Sequence, residues 1–496
     1  MIDQSLPQLL NNTDTERLSG YAKNLKYYAG EIPQAQGQLI RGARPVSFNY
    51  VKAFIDKATS YLMGNMSFTI NEAANPEAAA RAEAALRQVY LYNNLDMLDM
   101  DTETDCAILG DACYKVIWDA AGKRVRITAP DAQGLWAWTR GDDINEISRV
   151  ITRYTLQPDA LLKLHGYQAE TEAQVIEDWT EESFTLWIAG QQVRSLPNPY
   201  PFIPYVIFPN IRQPKSLWGV SDIVPIINAQ VELNRAFTQL SHILELSGNP
   251  IAVLENVDKA EDIAVNPGAV WTLPEDAKAY LLDLLQGGGV KLHIDYIDQV
   301  YRALHDLSET PRAAFGGMTA DLSGVAMAIE LYSLTQKVKR KRLIRTAAYR
   351  KRNTMILTLL NMFTGLGIDG LEPAVIWGSV LPQDLATEAR AQQLLTIAGM
   401  RSRRTSMSEL GTLDPDKEWQ LWLQEETAIK QITLAASLIP TQPPQGDVTT
   451  PDTPKLETSV TSPSPIQHSS FREKDSANLA SSPLQPLRGE GTPGPG

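Results

Sequence analysis

The sequence is poor in the residues that build metal centres and disulfide frameworks. Its 496 residues include five histidines, none in an HxxxH or HxE spacing, and only two cysteines. Cys106 and Cys113 are too few for a disulfide framework and lack the paired spacing of a zinc ribbon. We therefore interpret them as buried thiols of a protein from a reducing compartment, and we expect no metal and no cofactor.

Signals of nucleotide binding and of nucleophilic catalysis are also missing. The sequence has no glycine-rich loop ending in Gly-Lys-Ser/Thr and no GxSxG string, and the glycine run 287–289 is interpreted as a turn. A set of alternating acids resembles part of a calcium loop, but the sixth-position glycine and twelfth-position carboxylate are missing. These acids are Asp99, Asp101, Glu103 and Asp105. The sequence thus predicts no enzyme, although an active site made only of carboxylates stays open.

Long apolar runs and overall positive charge are absent as well. No stretch approaches the roughly 20 apolar residues of a membrane-spanning helix, and the first residues do not resemble a signal peptide, so we expect a soluble chain made in a cytoplasm. The net charge of -13 argues against a protein that coats nucleic acid over its whole surface. One segment differs, because residues 337–352 contain nine basic residues and no acidic one.

Hydrophobic periodicity predicts an α+β fold that is predominantly helical. Helical spacing dominates residues 15–100, and strand patterns follow at 112–138, 149–156, 183–188 and 206–208. A helix is predicted from Ser221, as its cap, to residue 247, then short strands over 250–290, then a helix over 294–309. The sequence therefore alternates a mixed body, a long helix, a β insert and a returning helix.

The remainder begins with a glycine-rich segment, 315–322, followed by an unusually long helical pattern to residue 362 that we expect to kink. A strand is predicted near residues 376–382, and helices over 383–398, 406–410 and 414–435. Beyond residue 439 the composition is rich in Pro, Ser, Thr and Gly, with 11 of the 31 prolines from Pro440 onward. Such a composition buries too little apolar surface to fold, so we predict a disordered tail over 439–496.

Several strings, taken in order, resemble the portal proteins, or head-to-tail connectors, of tailed double-stranded DNA bacteriophages. The resemblance covers roughly residues 20–430, and no single string is specific by itself. The strings are YYAG at 27–30, FNYVKAFID at 48–56, YLMG at 61–64, CAILGDACYKV at 106–116, Ile203-Pro204 with Phe208 and Asn210, GVSDI at 219–223 with Asn234, and SGVA at 323–326. Their order, matched to the alternation of elements, carries the resemblance.

This resemblance implies a division of the chain into the parts of a portal subunit. The parts are a wing over 1–218, a stem helix over 219–249, a clip over 250–290, a returning stem helix over 291–314, a tunnel loop over 315–322, a long basic helix over 323–366, a C-terminal wing or crown over 367–438 and the tail over 439–496. The resemblance also implies a homo-oligomeric ring, dodecameric in this family, around an axial DNA channel at the capsid vertex.

The same resemblance implies partners and a location. The ring would pass double-stranded DNA without reading its sequence during packaging, retention and ejection, and it would dock a terminase motor and later a head-tail adaptor. It would also contact the major capsid or scaffolding protein. The chain would lie in the virion, and in the host cytoplasm before assembly, with no catalytic site and no membrane.

Three sets of residues follow as candidates for function. The tunnel loop would comprise Gly316, Gly317, Met318, Thr319, Ala320, Asp321 and Leu322. Subunit contacts in the stem would involve Ile223, Ile227, Val231, Phe237, Leu240 and Leu244. Cations facing DNA or pairing with acids of adjacent subunits would be Lys337, Lys339, Arg340, Lys341, Arg342 and Arg345.

Alternatives remain for the basic segment after Gln336. It could form an amphipathic helix of a membrane-associated or scaffolding protein, lying on an anionic bilayer. It could also be a plain solvated helix face. However, the cations occur around the whole helix, so no single exposed stripe accommodates them and some must meet acidic neighbours or phosphate.

Overall fold

The fold is α+β and predominantly helical, as the sequence predicts. The computed structural model describes residues 6–31, 45–64, 66–70, 75–248, 251–256, 276, 278–282, 289–316, 324–380, 385–412 and 415–437. Two units are distinguished, 1–421 and 422–496, and only residues 422–437 of the second are described. The predicted disordered tail, 439–496, lies outside the described residues.

Thirteen α-helices occur in the described part of the chain. They are α1 (Leu6–Asn12), α2 (Thr15–Ala29), α3 (Tyr50–Leu62), α4 (Pro76–Asn93), α5 (Leu95–Leu109), α6 (Pro158–His165), α7 (Ile227–Gly248), α8 (Gly289–Ser308), α9 (Gly324–Glu330), α10 (Tyr332–Thr364), α11 (Leu385–Ile397), α12 (Arg403–Glu409) and α13 (Pro415–Ser437).

The strands of the described segments form five antiparallel sheets. They are β1 (Met66–Ile70), β2 (Asp111–Asp119), β3 (Arg124–Thr128), β4 (Leu135–Arg140), β5 (Asp143–Leu156), β6 (Ala173–Thr180), β7 (Ser183–Ile188), β8 (Gln191–Pro197), β9 (Tyr205–Pro209), β10 (Ile211–Arg212), β11 (Gly219–Val220), β12 (Ile251–Glu255), β13 (Lys278–Leu282) and β14 (Pro373–Trp377). The strand orders are β3-β2-β9, β4-β5-β6-β7-β8, β1-β14, β10-β11 and β12-β13.

The three-stranded sheet forms the centre of the largest hydrophobic cluster. In β2, Tyr114 pairs with Val206 of β9 and Val116 pairs with Ile127 of β3. Helix α10 packs against β2, β3 and β9, and its residues Tyr349 and Ile356 are buried in the same cluster. At 33 residues, α10 spans about 50 Å, so one helix ties together most of the body.

The five-stranded sheet is a meander, in which each strand pairs with its sequence neighbours. The patterns at 149–156, 183–188 and 206–208 correctly predicted β5, β7 and β9. The sequence pattern missed β8, since this edge strand is exposed along its whole length and has no apolar alternation. Lys115 of β2 forms a buried ion pair with Glu177 of β6, which joins the two larger sheets.

The helical predictions hold with shifted boundaries. The helix expected from Ser221 begins at Ile227, because Pro225 lies in a short 3₁₀ turn that precedes it. The returning helix begins at Gly289, which is earlier than the pattern indicated. The kink expected in the long helical pattern occurs at Leu331, between α9 and α10.

A polar ladder, formed by Gln230, Asn234 and Thr238 of α7, holds an extended segment against that helix. The amide of Val46 donates to Thr238 Oγ1 at 3.0 Å, Phe48 N donates to Asn234 Oδ1 at 3.1 Å, and Tyr50 N donates to Gln230 Oε1 at 3.1 Å. Four helical residues rise about 6 Å and two extended residues about 6.6 Å, so the two repeats match. The ladder fixes the chain entering α3 to the side of α7.

We predict that Asn234→Ala lowers the free energy of unfolding by about 1–3 kcal/mol, because the part-buried amide of Phe48 loses its acceptor. Urea unfolding measures the difference. The matched control is Ser241→Ala, an exposed position of the same helix, which should leave the urea midpoint nearly unchanged. Equal midpoints for both variants would contradict the role of the ladder.

Candidate functional site around the long helix

Helix α10 directs its basic residues to two different environments. Lys337, Lys341, Arg345 and Arg352 recur at spacings of four, four and seven residues, which is one face of an α-helix. That face is turned toward the body, and all four side chains are buried. Each of these buried cations requires a partner, because an unpaired charge in the interior is strongly unfavourable.

Arg345 connects three parts of the chain. Its guanidinium binds both carboxylate oxygens of Glu103 on α5, at 2.8 and 2.7 Å. It also donates to the carbonyl oxygens of Pro209 and Asn210, at 2.9 and 2.8 Å, where β9 ends. Burial alone would lower the pKa of Arg345, but the Glu103 carboxylate outweighs it and raises that pKa. Arg345 therefore stays ionised and joins α5, α10 and the central sheet.

Arg352 forms the second buried pair, with Asp99 of α5. Its guanidinium also donates to Tyr90 Oη at 2.9 Å and lies over the rings of Tyr114 and Tyr349, 4.5 and 4.7 Å from their centres. Such contacts stabilise a desolvated guanidinium. Because Asp99 and Glu103 are four residues apart, one face of α5 supplies both carboxylates to α10.

The third buried site places two lysines on one carboxylate. Asp222, at the entry to α7, lies 2.6 Å from Lys341 Nζ and 3.3 Å from Lys337 Nζ. Burial would raise the pKa of Asp222, but the two ammonium groups outweigh it and hold that pKa well below its usual range. Lys337 also donates to the Ser308 carbonyl at 2.9 Å, at the end of α8. This site therefore connects α10 to both helices of the α7–α8 hairpin.

Arg342 binds carbonyl oxygens at the end of another helix. Its guanidinium donates to the carbonyls of Leu62, at 3.1 Å, and Gly378, at 2.6 Å. The Leu62 carbonyl belongs to the last turn of α3, where carbonyl groups lack partners in the helix and carry partial negative charge. Arg342 thus caps α3 and stacks over Trp377, 4.8 Å from the ring centre.

These contacts correct the expectation for four of the six basic candidates. Lys337, Lys341, Arg342 and Arg345 were expected to face DNA or an adjacent subunit, but they are buried and have partners within their own chain. Lys339 and Arg340 lie on the exposed side, and Arg340 pairs with Glu309. The argument that some of these cations must meet acidic neighbours or phosphate is confirmed for Lys341 and Arg345, which pair with Asp222 and Glu103.

The alternating acids also fall on two sides of their helix. Asp99 and Glu103 are buried in ion pairs, whereas Asp101 and Asp105 are exposed. In the described part of the chain, no group of three or more His, Cys, Asp or Glu side chains could hold a metal ion. Cys106 and Cys113 are both buried free thiols, as the sequence predicted.

Two glycines allow the backbone segments around Asp111 to cross closely. Gly110 has a φ of +110°, and a Cβ there would lie 2.9 Å from the amide nitrogen of Ser221. A Cβ on Gly219 would lie 2.6 Å from the Gly110 carbonyl oxygen. At this crossing the buried Asp111 accepts hydrogen bonds from Gly219 N, at 2.7 Å, and from Tyr21 Oη. Burial raises the pKa of Asp111 from 3.8 to about 6.

The predicted stem residues lie in α7 or just before it, and they have different environments. Ile223 is fully buried in a cluster with Ala107 and Ile108 of α5, so it serves the subunit's own core, which corrects its assignment to a subunit interface. Ile227, Val231, Phe237 and Leu240 pack against the same cluster and are partly buried. Leu244 is 51% exposed. Helix α8 adds exposed apolar residues that the prediction missed: Leu292, Ile294, Tyr296 and Leu307.

The start of the predicted tunnel loop is anchored by aromatic contacts. Phe315 packs against Phe54 and His305, with ring centres 5.6 and 5.9 Å apart, and His305 Nδ1 donates to the Thr310 carbonyl at 2.6 Å. Gly316 follows with a φ of +79°, a conformation that glycine favours. The other loop residues, Gly317, Met318, Thr319, Ala320, Asp321 and Leu322, lie outside the described residues.

Comparison with known proteins identifies one family. The family model described as "Phage portal protein, SPP1 Gp6-like" matches residues 8–431. No curated protein matches the chain. Among the helices of the described segments, none is long and apolar enough to cross a membrane.

We predict that Arg345→Leu lowers the free energy of unfolding by about 3–5 kcal/mol, because the Glu103 carboxylate stays buried without its counterion. Adding Glu103→Leu should restore a substantial part of that loss, since the double variant buries no unpaired charge. Urea unfolding of both variants tests this. Arg350→Leu, on the exposed side of the same helix, is the control and should change little. A double variant less stable than Arg345→Leu alone would count against the pairing.

We also predict a pH dependence from Asp111. Because its folded pKa, about 6, is above 3.8, the contribution of this group to stability is fully present below about pH 4 and is lost as the pH rises through 6. Asp111→Asn removes this titration, so the variant should gain stability relative to the wild type, by up to about 3 kcal/mol, over that interval. Urea unfolding of the variant and the wild type at about pH 4 and at about pH 6 measures this gain in the free energy of unfolding. A constant difference between variant and wild type would show that Asp111 does not titrate there.

Proposed function

Since the chain belongs to the SPP1 Gp6-like family of phage portal proteins, we propose that it forms the ring-shaped DNA channel at the capsid vertex of a virion. The match over residues 8–431 carries this proposal, because it includes α10 together with the helices α3 and α4 and the strands β2, β3, β9 and β14 that pack against it. The ring, a dodecamer in this proposal, serves genome packaging, retention and ejection. Before assembly the subunit is in the host cytoplasm.

The exposed apolar residues of the hairpin support ring formation. Leu292 of α8 is 72% exposed, and Ile294 and Leu244 are also more than half exposed. A two-helix hairpin cannot cover such residues by itself, and burying them against a neighbouring subunit is favourable. In this proposal α7 is the stem helix and α8 the returning stem helix, with the β12–β13 pair as the clip. The clip then docks the terminase motor and, later, the head-tail adaptor.

The charges of α10 support different roles for its buried cations, which stabilise the subunit, and for its exposed cations, which contact DNA. Its buried cations hold the subunit together, so the exposed Lys339 and Arg340 are the residues we assign to DNA. Both lie near the base of the tunnel loop, since Arg340 pairs with Glu309, seven residues before Gly316. Contacts of cations with phosphate position DNA without reading its bases. The net charge of the whole chain, -13, limits adhesion of DNA to the channel.

The family is a structural one, and we propose no catalytic role for the chain. The alternative of a membrane-associated or scaffolding protein depended on the basic helix lying on a bilayer. That helix is α10, whose apolar residues Tyr349, Ile356 and Leu359 are buried in the central cluster. Since the body of the subunit already covers these residues, they are not available to insert into lipid.

We predict that the purified chain forms rings with an axial channel, visible by electron microscopy at micromolar concentration. Leu292→Glu combined with Ile294→Glu should shift the protein to monomers or small oligomers, because the charges would have to be buried between subunits. Light scattering measures the shift.

Leu162→Glu with Leu164→Glu is the matched control. These residues are also more than half exposed but lie on α6, away from the hairpin in sequence, and rings should persist. A wild type that stays monomeric would refute the proposed function. Intact rings in the α8 variant would refute only the role of Leu292 and Ile294 in the contact between subunits.

A further inference from the structure

The turn between α4 and α5 exposes an unusual group of large apolar side chains. Leu91 is 81% exposed and Met97 63%, and Tyr92 and Met100 are exposed beside them in sequence. Asp96 and Asp101 are also exposed there. We call these six residues the α4–α5 knob. An apolar patch rimmed by charge on a soluble protein indicates an interaction surface.

The knob is held rigidly at one edge of the three-stranded sheet. Asn93 Nδ2 donates to the carbonyl of Val125, and Asn93 Oδ1 accepts from the amide of Ile127, both at 3.0 Å. Val125 and Ile127 belong to β3, the edge strand of the order β3-β2-β9. Leu95, inside the turn, is fully buried and anchors the knob from below. A preorganised surface of this kind loses little conformational entropy on binding.

A groove of about 460 Å³ lies at the opposite edge of the same sheet. Its walls are β9, the start of β5 and α10, and its apolar lining includes Ile147, Ile207, Leu343 and Ala347. Leu343 is 76% exposed, so this apolar surface is uncovered in the single chain. The volume is roughly three times that of a cavity that holds one benzene ring, which is enough for more than one large side chain.

The charges of the groove are opposite to those of the knob. Arg212 and Lys351 both line it, and both are exposed. Burial lowers the pKa of Lys351, consistent with an ammonium group set against apolar walls. The knob contributes Asp96 and Asp101, so an apolar surface with an acidic rim faces an apolar surface with basic groups. This complementarity favours a protein partner with the charge pattern of the knob.

We propose that the α4–α5 knob of one subunit docks into the groove between β9 and α10 of the next subunit. Knob and groove lie at opposite edges of one rigid sheet, so they cannot meet within a subunit. A contact between two different surfaces is heterologous, and its repetition from subunit to subunit gives a ring when the rotation between neighbours closes. This inference rests on the proposed ring function and names the surfaces that build it in the wing.

Cross-linking tests the contact directly in the assembled full-length protein. Met97→Cys combined with Leu343→Cys should give a ladder of covalent multimers with a short bismaleimide, and either single variant should give none. The native thiols of Cys106 and Cys113 are buried and should not react, which the wild type checks. The matched control is Leu162→Cys combined with Leu343→Cys, because Leu162 is exposed on α6 outside the knob. This pair should give no ladder.

Charge reversal is a second, independent test of the contact between knob and groove. Arg212→Glu with Lys351→Glu should raise the concentration needed for half-maximal ring assembly by at least about tenfold, and Asp96→Lys with Asp101→Lys should do the same. All four changes in one chain should restore assembly, because the charges are again complementary. All four positions changed in these variants are exposed, so the monomer should melt as the wild type does.

The outcomes separate this inference from the proposed function. If wild-type rings form, but the Met97–Leu343 pair gives no ladder and the fourfold reversal does not restore assembly, the docking is wrong and the ring function stands. If the wild type forms no ring, both are refuted. A ladder together with rescue by the fourfold variant would establish the contact.

Discussion

The subunit depends on one buried guanidinium. The guanidinium of Arg345 donates hydrogen bonds to the Glu103 carboxylate, to the carbonyls of Pro209 and Asn210 and to the Asn210 side chain. All of these partners are distant from Arg345 in sequence. A buried charge is tolerated only when its partners are all in position, so α10 can pack in one register only. The two neighbouring ionic sites, at Arg352 and Asp222, repeat this constraint one or two turns along the same helix.

Hydrophobic packing alone would not select this register so strictly. Helix α10 has apolar residues on several sides, and sliding it by one turn would exchange one buried aliphatic side chain for another at modest cost. The same slide would separate Arg345 from Glu103 and Arg352 from Asp99 at once. The ion pairs therefore contribute specificity more than net stability, in agreement with the high desolvation cost of buried charges.

The sequence predicted the fold well where the signal is local, and the site poorly where it is not. The strands β5, β7 and β9 follow from periodicity over a few residues, and the kink in the pattern that runs to residue 362 was expected from its length alone, without a position. The environment of Arg345 depends on Glu103, 242 positions earlier, and a list of cations carries no information about such a partner. Likewise, the four-residue spacing of Gln230, Asn234 and Thr238 places them on one face of α7, but it does not indicate the segment that they bind.

The polar ladder along α7 has a mechanical consequence. Segment 45–50 is bonded to α7 at three successive positions and continues directly into α3, whose Phe54 touches Phe315. Lys337 binds both Asp222 before α7 and the Ser308 carbonyl at the end of α8. A load applied along the hairpin axis is therefore carried in parallel by α3 and α10, and it reaches Gly316 from both. A force that pulls on the hairpin loads the three hydrogen bonds of the ladder at the same time, in shear, and not one after another.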